Sequence, residues 1–218
     1  MSGAPPLAAE PLSISGTAGP IESVIEDPNP ATAPQAFMVV CHPHPLHGGT
    51  MTNKVVTTLA RTSHALAVPT IRFNFRGVGA SAGAFDEGPG ETDDVLAVVA
   101  YGRQRWPQAV LWLAGFSFGG VVALRARTTR GVGRLDKLLT LAPALGSNFG
   151  SVREISVPSC PWLVVQGDAD EIIDGALVID WAAQLEPAPQ LAVLPGVGHF
   201  FHGQLPLLQE TVTPFLRG

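Results

Sequence analysis

The stretch VLWLAGFSFGGVVALRAR, residues 110–127, sets an apolar run of strand length directly before a glycine-rich turn and a helix-forming segment. An unbroken apolar strand belongs where a sheet is covered on both faces, the situation of a central strand in a parallel sheet. Val121, Val122, Ala123 and Leu124 then open a segment that reads as a buried helix. The chain must pass from one to the other through Gly115, Phe116, Ser117, Phe118, Gly119 and Gly120. A layered α/β architecture accommodates such a junction, so this stretch restricts the fold class more than any other.

Ser117 is at the apex of the turn, and Gly115 and Gly119 complete a Gly-x-Ser-x-Gly pattern around it, the geometry of a nucleophile elbow. A serine so placed lifts its hydroxyl above the sheet edge, while the start of the helix aims backbone N–H groups at it. The N–H of Phe118, the residue after the serine, is the first candidate donor to an oxyanion. The pattern alone is weak evidence in a chain with 24 glycines, and Gly79-Ala80-Ser81-Ala82-Gly83 is a second perfect match. That second match runs on into Ala84-Phe85-Asp86-Glu87-Gly88-Pro89-Gly90, a loop by composition, so Ser81 reads as a loop serine.

A length of 218 residues suits one α/β domain spanning 1–218, with residues 1–11 a flexible start. The 46% of hydrophobic and 14% of charged residues exclude a disordered chain. A formal charge of -5 argues against nucleic acid or an anionic membrane as partner, and Arg125, Arg127, Arg130 and Arg134 read as cations near a helix C-terminus. With no basic-then-apolar leader and no apolar run long enough to span a bilayer, a cytoplasmic location is expected. Cys41 and Cys160, each at an apolar strand edge, are expected as two buried free thiols.

Taken in order, residues 12–14 and 21–25 suggest an antiparallel edge hairpin and 37–41 an apolar strand. Residues 53–66 have helical spacing, 70–75 alternate like a half-buried strand, and 91–106 form a helix whose acidic start (Glu91, Asp93, Asp94) suits a helix N-terminus. Strands at 135–141, 161–165 and 191–194, helices at 176–184 and 206–216, and a loop over 142–159 complete the chain. From residue 37 onward strands and helices alternate, which predicts a mostly parallel sheet with right-handed crossovers and its ligand site at the strands' carboxyl ends.

After the strand at 37–41 comes His42-Pro43-His44-Pro45-Leu46-His47-Gly48-Gly49. His42, His44 and His47 could ligate a metal, although the prolines stiffen the loop and no carboxylate lies within it. The imidazoles could instead satisfy nearby backbone groups. In a third reading, which the chemistry favours, the backbone N–H of His44, the one donor between two residues that have none, is the second half of an oxyanion hole.

Ser117, Asp170 and His199 each lie just beyond an expected strand, in the order nucleophile, acid, histidine. Asp168, Glu171 and Asp174 are rivals to Asp170, and His202 is a rival to His199. That order on an alternating chain resembles the α/β-hydrolase fold over nearly the whole sequence. Gly167-Asp168-Ala169-Asp170 is similar to that superfamily's acid turn, and Gly198-His199 precedes the last helix as its histidine does. Cys41-His42-Pro43-His44-Pro45 and Phe73-Asn74-Phe75-Arg76-Gly77-Val78-Gly79 resemble segments of a group of small bacterial serine hydrolases, in which His42-Pro43 stands where a His-Gly is usual.

The resemblance implies acyl transfer through an acyl-enzyme on Ser117, with His199 as base and Asp170 as its orienting acid, and with neither cofactor nor metal. The missing insertion after the sixth strand implies a lidless, solvent-open site and a small or short-acyl ester as the partner molecule. A metal-dependent hydrolase built on His42, His44 and His47, and a non-catalytic binding protein on the same fold, are the alternatives.

Overall fold

The computed structural model describes residues 9–146 and 157–218. Much of the loop expected over 142–159, and most of the start expected to be flexible, lie outside the described residues. The elements are β1 (Glu10–Gly16), β2 (Gly19–Glu26), β3 (Ala36–Cys41), α1 (Lys54–Ala65), β4 (Thr70–Phe73), α2 (Pro89–Arg105), β5 (Val110–Phe116), α3 (Phe118–Ala126), β6 (Leu135–Leu141), β7 (Trp162–Gly167), α4 (Gly175–Ala183), β8 (Gln190–Leu194) and α5 (Leu205–Arg217). Single turns of 3-10 helix occur at Pro45–His47 and Arg130–Val132.

The strands form one eight-stranded sheet in the order β1-β2-β4-β3-β5-β6-β7-β8. β1 pairs antiparallel with β2 and β2 antiparallel with β4, while every later pair is parallel. Because successive strand side chains point to opposite faces, the apolar strands feed two separate cores. Phe37, Val39, Leu111 and Leu113 pack with Val98 of α2, Val122 of α3 and Val178 of α4. Met38, Val40, Trp112 and Phe116 pack with Leu59 of α1 and Val212 of α5 on the other face. This is the α/β-hydrolase arrangement, and it places β5 at the centre with α3 behind it. No helix among the described residues is long and apolar enough to cross a membrane.

Three local departures from the sequence reading have physical causes. β4 alternates in sequence but is buried throughout, because Arg72 spends its charge inside: its guanidinium makes a fork-like pair with Glu26 (2.9 and 2.7 Å) and donates to the Met51 carbonyl at 2.6 Å. It also stops at Phe73 rather than Phe75, since the N–H of Phe75 leaves the ladder to donate to His42 Nε2 at 3.0 Å. β5 runs on through Gly115 and Phe116, which pair with Cys41 on one side and with Thr140 and Leu141 on the other.

α2 begins at Pro89, and the buried Glu91 carboxylate accepts the N–H groups of Gly88 (2.7 Å) and Asp86 (2.9 Å) that lead into it. Asp94, also buried, pairs with Arg76 at 2.9 Å, so these acids build the helix start rather than a site. Both cysteines are free, but Cys160 is only half-buried, a correction to the expected pair of buried thiols. Burial pushes the Cys41 thiol far above its ordinary value, which makes it inert.

Candidate active site

Ser117 joins β5 to α3 with φ 54 and ψ -119, a conformation that costs a residue with a Cβ roughly 1–3 kcal/mol and persists only where its surroundings hold it. The holding contacts are visible. Ser117 donates its N–H to the Leu141 carbonyl at 2.9 Å, and its own carbonyl accepts from Gly120 (2.9 Å) and Ala144 (3.2 Å). The flanking glycines serve close approach rather than unusual dihedrals. A Cβ on Gly115 would collide with the Gly119 carbonyl, and one on Gly119 with the carbonyls of Cys41 and His42. Phe118 is the first residue of α3, at the end where a helix presents N–H groups without intrahelical acceptors.

His199 comes from the loop after β8, and its Nε2 is 3.1 Å from Ser117 Oγ. Its Nδ1 is 2.9 Å from Asp170 Oδ2, on the turn after β7. The order of these atoms, hydroxyl to imidazole to carboxylate, requires the tautomer with hydrogen on Nδ1. Asp170 is further held by Gln166 Nε2 on Oδ2 (3.0 Å) and by the N–H groups of Ile172 and Ile173 on Oδ1 (2.9 and 2.8 Å). Burial acts to raise the pKa of this carboxyl, but the hydrogen bonds from His199, Ile173 and Ile172 outweigh it and hold it below the usual carboxylate value. Ser117 is 6% and His199 3% exposed, so the hydroxyl and the imidazole that meets it sit within the protein surface rather than standing out from it.

The rivals named from the sequence are placed elsewhere. Asp168 Oδ1 accepts the Gly196 N–H (2.7 Å), Asp174 caps α4 through the Leu177 N–H (3.2 Å), and His202 is exposed beside Phe200. Glu171 Oε2 accepts the backbone N–H of His199 at 3.1 Å. Together with Asp168 N–H to the Leu194 carbonyl (3.3 Å) and Ala169 N–H to that of Val197 (3.2 Å), these bonds lace the acid turn to the histidine loop.

Sequence reasoning missed Gln166 and the aromatic walls of His199, where the Phe116 and Phe200 rings sit 5.1 and 5.0 Å from the imidazole. The one available signal was a polar Gln166 at the carboxyl end of the otherwise apolar β7.

The histidine loop after β3 resolves residue by residue. His42 is fully buried, with Nδ1 2.6 Å from the Pro43 carbonyl and Nε2 accepting from Phe75 N–H. Both ring nitrogens are thus engaged by backbone groups in a neutral ring, and burial lowers its pKa to about 4 despite the Pro43 contact, which acts to raise it. His44 caps the following 3-10 turn by accepting the Leu46 N–H on Nδ1 (3.1 Å), and its ring lies 5.2 Å from that of Phe118 and 4.5 Å from that of His47. Among the described residues no group of three or more His, Cys, Asp or Glu side chains is arranged to hold a metal ion.

No family model matches the chain. An uncharacterized protein of Rickettsia prowazekii is 30% identical over 197 residues, covering 85% of this chain and 81% of that protein. The solved structure of an α/β serine hydrolase homologue from Coxiella burnetii is 39% identical, with a TM-score of 0.86 and coverage of 95% of this chain and 97% of that one. A Xanthomonas campestris protein described as an α/β serine hydrolase without lid is 41% identical, with a TM-score of 0.87 and coverage of 99% and 97%. A chain with this sheet, this serine junction and likeness of that extent belongs to the α/β serine hydrolases.

Proposed function

We propose that the protein is a carboxylesterase-like serine hydrolase that cleaves small or short-acyl esters through an acyl-enzyme on Ser117. The observation that carries this reading is the unbroken line from Ser117 Oγ to His199 Nε2 and from His199 Nδ1 to Asp170 Oδ2. In that line His199 takes the serine proton as Oγ attacks the ester carbonyl carbon, and Asp170 stabilises the imidazolium so formed. The imidazolium then returns the proton to the departing alkoxide as the C–O bond breaks. Water, activated by the same imidazole, releases the acid and restores the hydroxyl.

The negative oxygen of each tetrahedral intermediate is assigned to the N–H groups of Phe118 and His44. The reading is supported by the contact between their rings and by the packing of Gly119 directly against the His42 carbonyl, which brings the two segments together. The engagement of both His42 nitrogens by backbone groups speaks against the metal-centred alternative. Leu46, Ile172 and Phe200, 70%, 59% and 41% exposed, ride on the three loops that carry His44, Asp170 and His199, so the site is bordered by apolar surface suited to the organic part of a small ester.

A fluorophosphonate probe tests the proposal at the atom concerned. Stoichiometric labelling that maps to Ser117 is expected, together with p-nitrophenyl ester turnover. A folded protein that takes no label and releases no nitrophenol would sink it.

A further inference from the structure

Two consecutive carboxylates hold one histidine from two directions. Asp170 takes the ring at Nδ1, and Glu171 Oε2 takes the backbone N–H of the same His199 at 3.1 Å. Gly198 fits this grip, because a Cβ there would lie 2.6 Å from Glu171 Oε2 and 3.7 Å from the Ala169 carbonyl. The loop's own turn bonds, Val197 N–H to the Leu194 carbonyl (3.4 Å) and Phe201 N–H to the Gly198 carbonyl (3.1 Å), leave the His199 N–H to the Glu171 carboxylate. Gly196 and Phe201 on either side of His199 have φ of 67 and 53, and left-handed backbone at a phenylalanine is maintained by contacts rather than by preference.

Resting on the serine-hydrolase reading above, we propose that Glu171 is a positioning residue for His199. The Asp170 bond restrains the imidazole about its own side-chain torsions. It does not act on the His199 backbone, and the Glu171 bond is the one that takes that backbone at His199 itself. The carboxylate touches none of the reacting atoms and acts through the histidine, setting the line along which Nε2 meets Ser117 Oγ. It adds a fixed point to the lacing between the acid turn and the histidine loop, at the residue where a small displacement is transmitted undiminished to the proton transfer.

The test uses the full chain with Glu171→Ala, Glu171→Gln, Gly198→Ala and the double variant Glu171→Ala/Gly198→Ala, measured by p-nitrophenyl acetate kinetics and thermal melting. Glu171→Ala is expected to lower kcat about tenfold, less than the roughly 10²-fold of a full 1 Å misplacement, with KM changed by less than about twofold. Glu171→Gln keeps an oxygen acceptor and should restore kcat to within about threefold of wild type. Gly198→Ala should reproduce the loss by displacing the carboxylate, and the double variant should be no slower than either single one, since both break the same contact.

Wild-type kcat in Glu171→Ala, a loss that glutamine does not rescue, or a loss confined to KM overturns the proposal. Failure of the parent reading looks different: wild-type protein itself neither turns over ester nor labels at Ser117, and both proposals then fall together.

Discussion

Ser81 and Ser117 occupy identical Gly-x-Ser-x-Gly patterns in opposite surroundings. The Ser81 hydroxyl donates to the Asn74 carbonyl at 2.7 Å and accepts the Glu22 N–H at 2.9 Å, so its donor and an acceptor position are consumed in fixing a loop against β2. The Ser117 hydroxyl instead faces an imidazole, on a left-handed backbone, with a helix beginning at the next residue. Ser81 is held at ordinary dihedrals, and the left-handed positions around it belong to Gly79 and Gly83. A hydroxyl becomes a nucleophile only where the backbone presents it and a base is left to meet it. The glycines alone do neither.

The contrast breaks most sharply in paired serine variants. Ser117→Ala is expected to lower kcat/KM for a p-nitrophenyl ester by on the order of 10⁴-fold or more, with melting little changed, whereas Ser81→Ala should keep activity within about twofold. Comparable losses in both would erase the distinction. Asp170→Asn sharpens it from the side of the base. With the orienting charge gone the imidazole favours the wrong tautomer, and a loss of about 10³- to 10⁴-fold in kcat with KM preserved is expected from steady-state kinetics.

A smaller effect arises where the two serine segments meet, at His42, whose carbonyl lies under Gly119 and whose ring takes the N–H that opens the Ser81 loop. Its folded pKa of about 4 lies below the unfolded value of about 6.5. Between those values the unfolded chain binds a proton that the folded chain refuses. Stability from this group is therefore complete above about pH 6.5 and is lost progressively as pH falls toward 4, by about 3 kcal/mol. His44, lowered first by burial and then by His47, adds to the same slope. Urea midpoints from pH 7 to 4.5 should show the decline, and His42→Ala, less stable at pH 7, should lose most of it; an unchanged slope would show that the protons go elsewhere. The smallest effect is on Ser81 itself, where Ser81→Ala should cost about 1–2 kcal/mol of unfolding free energy through the partners it strands.

The elements, and the three side chains that the fold brings within hydrogen-bond reach of one another, were legible in the sequence because each depends on local pattern. Apolar runs mark the strands of a covered sheet, and Ser117, Asp170 and His199 come just after such runs at the edge where a parallel sheet gathers its ligands. What could not be read depends on loops meeting in space. That Asp168, Glu171 and Asp174 would serve respectively Gly196, the His199 backbone and a helix cap is decided by the approach of the β7 and β8 loops, and no spacing encodes it. Likewise, the alternation of β4 pointed to an exposed face because Arg72 reads as solvated until Glu26, diagonal to it on β2, is placed against its guanidinium.

Ser117 and His199 are 82 positions apart along the chain, and the histidine comes from the loop that follows β8 at the edge of the sheet. Even the turn at Ser117 is held by later residues, through the Leu141 carbonyl and the Ala144 N–H. On the proposed reading, a nascent chain would have its hydroxyl before its imidazole and would be inactive toward esters until the loop after β8 had docked.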